Sequence, residues 1–303
     1  MEECIEEANN TAPARQRGNG AKTPNDRDVL RMKGLMVGET LGCGSYSKVK
    51  FAIETKTMAK VAVKIIDRRR APRDFLESFL PRELDIISGV QHENIIETYG
   101  HFEHGSKVFI IQEYAENGDL LSYVRRAGSA LPERQAKHWI RETTCGLRYL
   151  HKQGIAHRDL KCENLLLDFY GAVKISDFGF SRVVGQEELS NTYCGSAAYA
   201  APEILKSQPY RPIPTDIWAL GVVTYILSCG EMPFGDDTSS VNNILHRQLN
   251  GIQFPLLKRV TPECKDILQA MLTVDPDERI TTDGVLQSPW LNAIDDLQGN
   301  TTN

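Results

Sequence analysis

The chain has 303 residues, of which 41% are hydrophobic and 25% charged, an ordinary globular composition that can pack a core without disulfides or metal. That length is near the limit for one hydrophobic core, so one large or two joined units are expected. A formal net charge of −5 excludes the basic face of a general nucleic-acid binder, and no run of about 18 apolar residues suggests a membrane span.

Residues 1–33 open with Glu2, Glu3, Glu6 and Glu7 and continue as a Thr/Ala/Pro/Asn/Gly-rich run with only isolated apolar side chains. Such a segment buries too little surface to offset its ordering entropy, so a disordered tail is expected. It has no apolar h-region of a signal peptide, and Glu2 breaks the myristoylation pattern. From Gly34 the texture changes. Leu35–Val37 and Val49–Ile53 flank Gly42-Cys43-Gly44-Ser45-Tyr46-Ser47, residues 60–66 alternate like a strand, and Val108–Gln112 is a further apolar run. These predict a small antiparallel sheet, interrupted by one helix over residues 75–89 that carries Glu83. Gly42 and Gly44 would let the backbone approach a phosphate, where a Cβ would collide. Ser47 takes the place of the third glycine in G-x-G-x-x-G, and a glycine pair alone is weak evidence. Arg68, Arg69, Arg70 and Arg73 form a basic cluster that reads as a solvated linker.

After Asn117-Gly118-Asp119 the pattern turns helical. Over residues 132–154, Trp139, Thr143, Leu147 and Leu150 recur at three- and four-residue spacing between Pro132 and Gly154. Residues 216–228 are apolar nearly all round, as suits a helix in the middle of a lobe. Between these helices lie His157-Arg158-Asp159-Leu160-Lys161-Cys162-Glu163-Asn164 and Asp177-Phe178-Gly179. Asp159 and Asp177 are 18 positions apart, enough for a short loop, a hairpin and a return to one cleft. The seven cysteines, Cys43 and Cys194 among them, include no C-x-x-C pair and read as reduced intracellular thiols. A cytoplasmic location is therefore expected.

Six motifs stand in one order: the glycine loop, Val61-Ala62-Val63-Lys64, the 157–164 stretch, Asp177-Phe178-Gly179, Ala201-Pro202-Glu203, and Asp216-Ile217-Trp218-Ala219-Leu220-Gly221. Together they resemble the eukaryotic protein kinases. The resemblance implies an α+β, two-lobed fold with a small antiparallel-sheet lobe and a mainly helical large lobe. The domain would span 34–291, divided into 34–114 and 115–291, with 292–303 a short polar tail. Cys162 in the 157–164 stretch, the wording Leu189 to Glu203 and Cys229-Gly230-Glu231-Met232-Pro233-Phe234 further resemble the testis-specific serine/threonine kinases, a branch of the calmodulin-dependent group.

Carried over from that resemblance, Lys64 would hold the α- and β-phosphates of ATP, oriented by Glu83. Asp159 would accept the hydroxyl proton, and Asn164 and Asp177 would ligate Mg²⁺. Gly42, Gly44, Leu41, Val49, Ala62 and Leu166 would enclose the nucleotide, and residues from Glu113 to Ala115 would meet the adenine. Each apolar wall reads equally well as plain core. Gln112 would guard the back of the pocket. Lys161 marks a serine/threonine rather than a tyrosine kinase. Asp119 and Glu163 correspond to acidic positions that bind arginine three residues before the target, while Ile226 stands where relatives with a more acidic pocket carry Glu. Thr192 is the expected activating phosphosite, because a phosphate there would pair with Arg158, with Ser190 a weaker candidate. Arg279 is expected to pair with Glu203.

Protein substrates, an upstream activating kinase and a chaperone are the implied partners, with a monomeric chain, no nucleic acid, no membrane and a role in sperm development. The alternatives are a pseudokinase scaffold and an enzyme of another branch related to the AMP-activated kinase. Lys64, Glu83, Asp159, Asn164 and Asp177 are all present, which favours activity.

Overall fold

A computed structural model of the chain describes residues 24–185, 188–192, 195–236, 238–255 and 260–293. The expectations for residues 1–23 and 294–303, and those for Cys194, lie outside these residues.

The first element corrects the expected tail. Asp26–Met32 forms helix α1, opened by a capping box in which the Asn25 side chain accepts from the Asp28 amide and the Asp28 carboxylate accepts from that of Asn25. A seven-residue helix is not stable alone. It persists because Val29 and Leu30 are buried with Leu35, Ala52, Val61, Val63, Ile65 and Phe109 on one face of the sheet that follows. Two adjacent apolar residues suffice when the other half of the core is supplied by strands.

That sheet consists of β1 (Leu35–Cys43), β2 (Ser47–Glu54), β3 (Lys60–Asp67), β4 (Thr98–His104) and β5 (Lys107–Glu113). It is antiparallel, in the order β1-β2-β3-β5-β4. Alternation along β3 sends Val61, Val63 and Ile65 towards α1 and leaves Ala62 and Lys64 on the opposite face. Asp26 clamps α1 across the sheet, meeting Lys48 of β2 at 2.6 Å and Lys107 of β5 at 2.7 Å. Burial disfavours the ionised Asp26, but the two lysines still hold its carboxyl below the usual range. Asp26→Asn is expected to cost about 1 kcal/mol, because partly exposed ion pairs contribute only a few tenths to one each. Thermal melts at low and high salt check this: the difference should shrink with salt, and no difference at low salt would mean that apolar contacts alone hold the helix.

Between β3 and β4 the chain makes a π-helical turn, Phe75–Phe79, and then α2, Leu80–Gly89, with Pro81 in its first turn. The arginine cluster before it is paired rather than merely wet. Arg68 meets Glu103, Arg69 meets Asp67 at 3.0 Å, Arg73 meets Glu77 at 2.6 Å, and Arg70 donates to the Ser45 carbonyl at 2.9 Å.

The large lobe follows with α3 (Leu120–Ala127), α4 (Glu133–Lys152), the short strands β6 (Ile155–Ala156), β7 (Leu165–Leu167), β8 (Val173–Ile175) and β9 (Arg182–Val183), then α5 (Pro202–Leu205), α6 (Pro212–Cys229), α7 (Val241–Leu249), α8 (Pro262–Met271), α9 (Thr282–Gln287) and α10 (Pro289–Asn292). The pairs β6-β9 and β7-β8 frame the segment between α4 and α5. Helix α6 is apolar and long enough to cross a membrane, but nearly all its residues are buried, so that apolarity serves the core. Gly221 brings α6 against the end of α8: an added Cβ would lie 2.8 Å from Leu272 Cδ2. The mixed α+β architecture, with a sheet in the small lobe and helices in the large one, is as the sequence implies.

Candidate active site

Lys64 and Glu83 are joined by an ion pair of 2.7 Å, and Lys64 also meets Asp177 at 2.8 Å. One ammonium thus ties β3, α2 and the Asp177-Phe178-Gly179 turn together. Burial pulls the pKa of Lys64 down, but the two carboxylates outweigh it and hold the group well above the ordinary lysine value. The same Lys64 charge is the main reason that the Asp177 carboxyl is held at about 2. Glu83 is buried and uses one oxygen; Oε2 has no hydrogen-bond partner. Over this group the glycine loop is latched, with the Arg70 contact to Ser45 and the Tyr46 ring 4.5 Å from that of Phe75.

The 157–164 stretch is an irregular loop leaving β6, closed by one 3₁₀ turn over Cys162–Asn164. Its shape is imposed from α6. The buried Asp216 accepts the His157 and Arg158 amides, each at 2.8 Å, and meets His151 Nε2 of α4 at 2.9 Å. Burial alone would raise the Asp216 pKa; the hydrogen bond from His151, that residue's charge and the loop amides reverse this and lower it. Arg158 and Asp177 both have left-handed backbones, φ 65° and 61°, a cost that clusters at functional sites. His157 accepts from the Asp159 amide at Nδ1 and meets the Ser176 carbonyl at Nε2, so its ring is held between the loop and the Asp177 turn.

Asp159 is held by its Oδ2. That oxygen accepts from Asn164 Nδ2 at 3.0 Å and lies 2.9 Å from Lys161 Nζ, whereas Oδ1 takes no hydrogen bond among the described residues. Asn164 gives its amide nitrogen to Asp159 while its Oδ1 makes no hydrogen bond among the described residues, and its backbone carbonyl anchors Ser176 beside Asp177. Gly195 passes over this loop with φ +88°, where an added Cβ would lie 2.9 Å from the Arg158 carbonyl oxygen. A side chain there would push the loop that carries Asp159.

Leu41 is exposed and Val49, Ala62 and Leu166 are half-buried, whereas their neighbours Val61, Val63, Leu165 and Leu167 are fully buried. Ala62 pairs with Gln112 across β3 and β5, and Gln112 donates to Thr98 Oγ1 at 3.2 Å. Glu113 is drawn to Lys174 at 2.8 Å, while the Ala115 amide and carbonyl make no hydrogen bond within the described residues. Gly42 has open space around it.

Other residues take duties that the sequence did not disclose. Asp119 caps α3, with its two oxygens accepting from the Ser122 amide and hydroxyl at 2.8 and 2.7 Å. Glu163 accepts from the Tyr199 hydroxyl at 3.2 Å. Arg158 is not left unpaired: Nε donates to the Phe180 carbonyl at 2.7 Å and Nη1 to the Ser190 hydroxyl at 3.3 Å. Ser190 is buried and Thr192 exposed. Cys162 is buried beside Tyr199, and burial pushes its thiol up to about 12, so it is inert. Arg279, by contrast, meets Glu203 at 2.8 Å, the pair that the sequence led us to expect. The sequence carries no local mark for Tyr199, Ser190 or His151, whose partners are 32 to 65 residues away.

The residues fit a divalent cation with nucleotide. Asn164 Oδ1 and an ionised, half-exposed Asp177 supply two oxygen donors, a number suited to Mg²⁺, which keeps phosphate and water oxygens in its shell.

This arrangement agrees with comparison to known proteins. The model of the protein kinase domain family matches residues 35–291. The chain belongs to the protein kinases. Testis-specific serine/threonine-protein kinase 2 of Mus musculus is 46% identical over 273 residues, covering 88% of this chain and 75% of the relative. Testis-specific serine/threonine-protein kinase 3 of the same organism is 43% identical over 267 residues, covering 87% and 98%. The SNF1-related protein kinase catalytic subunit alpha KIN12 of Arabidopsis thaliana is 37% identical over 275 residues, covering 91% and 54%. This kinase is thus an ATP-dependent serine/threonine enzyme of the testis-specific and SNF1-related type. The family resemblance read from its loop wording holds.

Proposed function

We propose that this kinase transfers the γ-phosphoryl group of Mg²⁺-ATP to protein Ser or Thr, with a preference for Arg three residues upstream, and is activated by phosphorylation at Thr192. The observation that carries the reading is the Glu83–Lys64–Asp177 chain of charges standing beside Asp159 and Asn164. Lys64 binds the α- and β-phosphates, and Glu83 keeps its ammonium in place. Asp159 Oδ1, the oxygen without a donor, accepts the proton of the substrate hydroxyl, while Lys161 and Asn164 fix the carboxylate through Oδ2. Asn164 and Asp177 would hold Mg²⁺, whose charge would offset that of the phosphate oxygens. The free Ala115 amide and carbonyl suit the adenine edge, with Leu41, Val49, Ala62 and Leu166 around the ring and Gly42 and Gly44 under the phosphates.

Glu163 and Asp119 each keep acceptor capacity beyond their present bonds, and carboxylate to guanidinium is the strong directional pairing for an upstream arginine. The buried Ile226 offers no charge for a second one. Thr192 is accessible to an upstream kinase, whereas Ser190 is sealed against Arg158. A phosphate on Thr192 gives Arg158 a charged partner and orders the loop. By the same family resemblance the kinase works as a cytoplasmic monomer in developing sperm, with a chaperone partner.

A positional peptide library with radiolabelled ATP tests the specificity: incorporation should rise for Arg at the third upstream position and stay flat at the second. Equal incorporation with every residue at the third position would refute it. Thr192→Ala should hold the enzyme at its basal rate after treatment with an activating kinase, and full activation of that variant would remove Thr192 from the mechanism.

A further inference from the structure

The peptide-accepting side of the site has a support that its motifs do not name. The segment Ser196–Ala200, which contains the 3₁₀ turn Ala197–Tyr199, touches the catalytic loop through two side chains: Lys161 Nζ donates to Ser196 Oγ at 3.3 Å, and the Tyr199 hydroxyl donates to Glu163. The same segment is held by the buried Gln248, in the last turn of α7, which donates from Nε2 to the Ala200 carbonyl at 2.9 Å. That carbonyl, on a buried residue, has no other partner within the described residues. The second half of the amide is the informative one. Gln248 Oε1 is buried without a hydrogen bond, which destabilises the fold. A methionine of the same length would remove that burden but leave the buried Ala200 carbonyl without a donor, so the two effects oppose each other, and what the glutamine supplies is its hold on Ala200.

We infer that Gln248 is a positioning residue for the protein substrate, fixing the backbone of Ser196–Ala200 so that a polypeptide's hydroxyl reaches Asp159. It acts on the polypeptide and not on ATP, because the segment that it holds bonds to Lys161 and Glu163 of the catalytic loop, whereas Lys64 is held by Glu83 and Asp177. The inference rests on the protein-kinase reading of the site.

The test is steady-state kinetics of the full chain and of Gln248→Met, varying an Arg-x-x-Ser peptide and ATP separately, with melting temperatures alongside. Loss of one positioning hydrogen bond should raise the peptide KM about five- to tenfold. The ATP KM should stay within about twofold. The melting temperature should change little, because the lost bond and the removed orphan oxygen offset each other. Gln248→Asn, which is too short to reach Ala200, should give the same split and serves if the methionine variant folds poorly. A folded variant whose peptide KM stays within about twofold overturns the inference. So does a fall in both substrates' kinetics together with the melting temperature, the signature of a merely structural role. If the unmodified chain incorporates no phosphate, the kinase reading itself fails, and this distinguishes the two failures.

Discussion

Asp177→Asn is expected to lower phosphotransfer by about 10²–10³-fold or more, the usual loss when one preorganised charged group is removed at a transition state. The substitution keeps the volume and the left-handed backbone, since asparagine tolerates that region. It removes the negative charge that faces Lys64 at 2.8 Å and that would ligate the metal. Lys64 retains Glu83 at 2.7 Å, so the folded small lobe should survive and the loss should fall on chemistry. Peptide phosphorylation measured against intact melting behaviour checks this, and a variant within tenfold of the unmodified enzyme would contradict the assignment. The same carboxyl leaves a mark in acid. Its folded pKa of about 2 lies below the ordinary 3.8, so its stabilising contribution is complete above the unfolded value and disappears as pH falls through about 2. Acid unfolding followed between pH 4 and 2 should therefore be steeper for the unmodified chain than for the asparagine variant.

Glu203→Gln should cost about 3–5 kcal/mol, because it strands a buried cation. The Arg279 side chain is fully buried and lies over Trp218 at 5.2 Å, with every donor committed: Nε to the Thr273 carbonyl, Nη1 to Glu203 and Pro214, and Nη2 to Glu203 and Val274. In a lobe of this size the loss corresponds to a fall in melting temperature of about 10 °C. Replacing both partners by apolar residues often restores stability at buried ion pairs. Here it should not, because Arg279 also satisfies three backbone carbonyls that would be left bare. A double variant Glu203→Leu with Arg279→Met that melts like the unmodified chain would show that those carbonyls find other donors.

Much of the site was legible because its chemistry sits in contiguous stretches. The 157–164 loop, Asp177-Phe178-Gly179 and Lys64 each lie in a run whose spacing is fixed by local backbone geometry, and the apolar periods of α4 and α6 were plain. What escaped depends on partners distant in sequence. Helix α1 borrows its core from β1, β2, β3 and β5, so its own two buried apolar residues are too few to mark it in the sequence. Strand β4, Thr-Tyr-Gly-His-Phe-Glu-His, lies at the edge of the sheet and has little apolar alternation to announce it. Asp119 was read as a site for arginine, but its spacing to Ser122 also makes a helix cap, a local signal that was present and outweighed. The neutral partners of Arg158, the Phe180 carbonyl and the Ser190 hydroxyl, lie 22 and 32 residues away and have no local mark in the sequence. Gln248 had no signal at all, since an amide on an amphipathic helix is ordinarily solvated.

The three hydrogen bonds that end on Asp216 have a mechanical consequence. Loops are generally the adjustable parts of a protein, and low local stability is what lets them move. The loop bearing Asp159 is bolted through its own amides to the most deeply buried helix of the large lobe, and through His151 to α4 as well. It behaves as the fixed jaw of a vice. The facing jaw is the sheet with α2, joined to it across the cleft by the grip of Lys64 on Asp177.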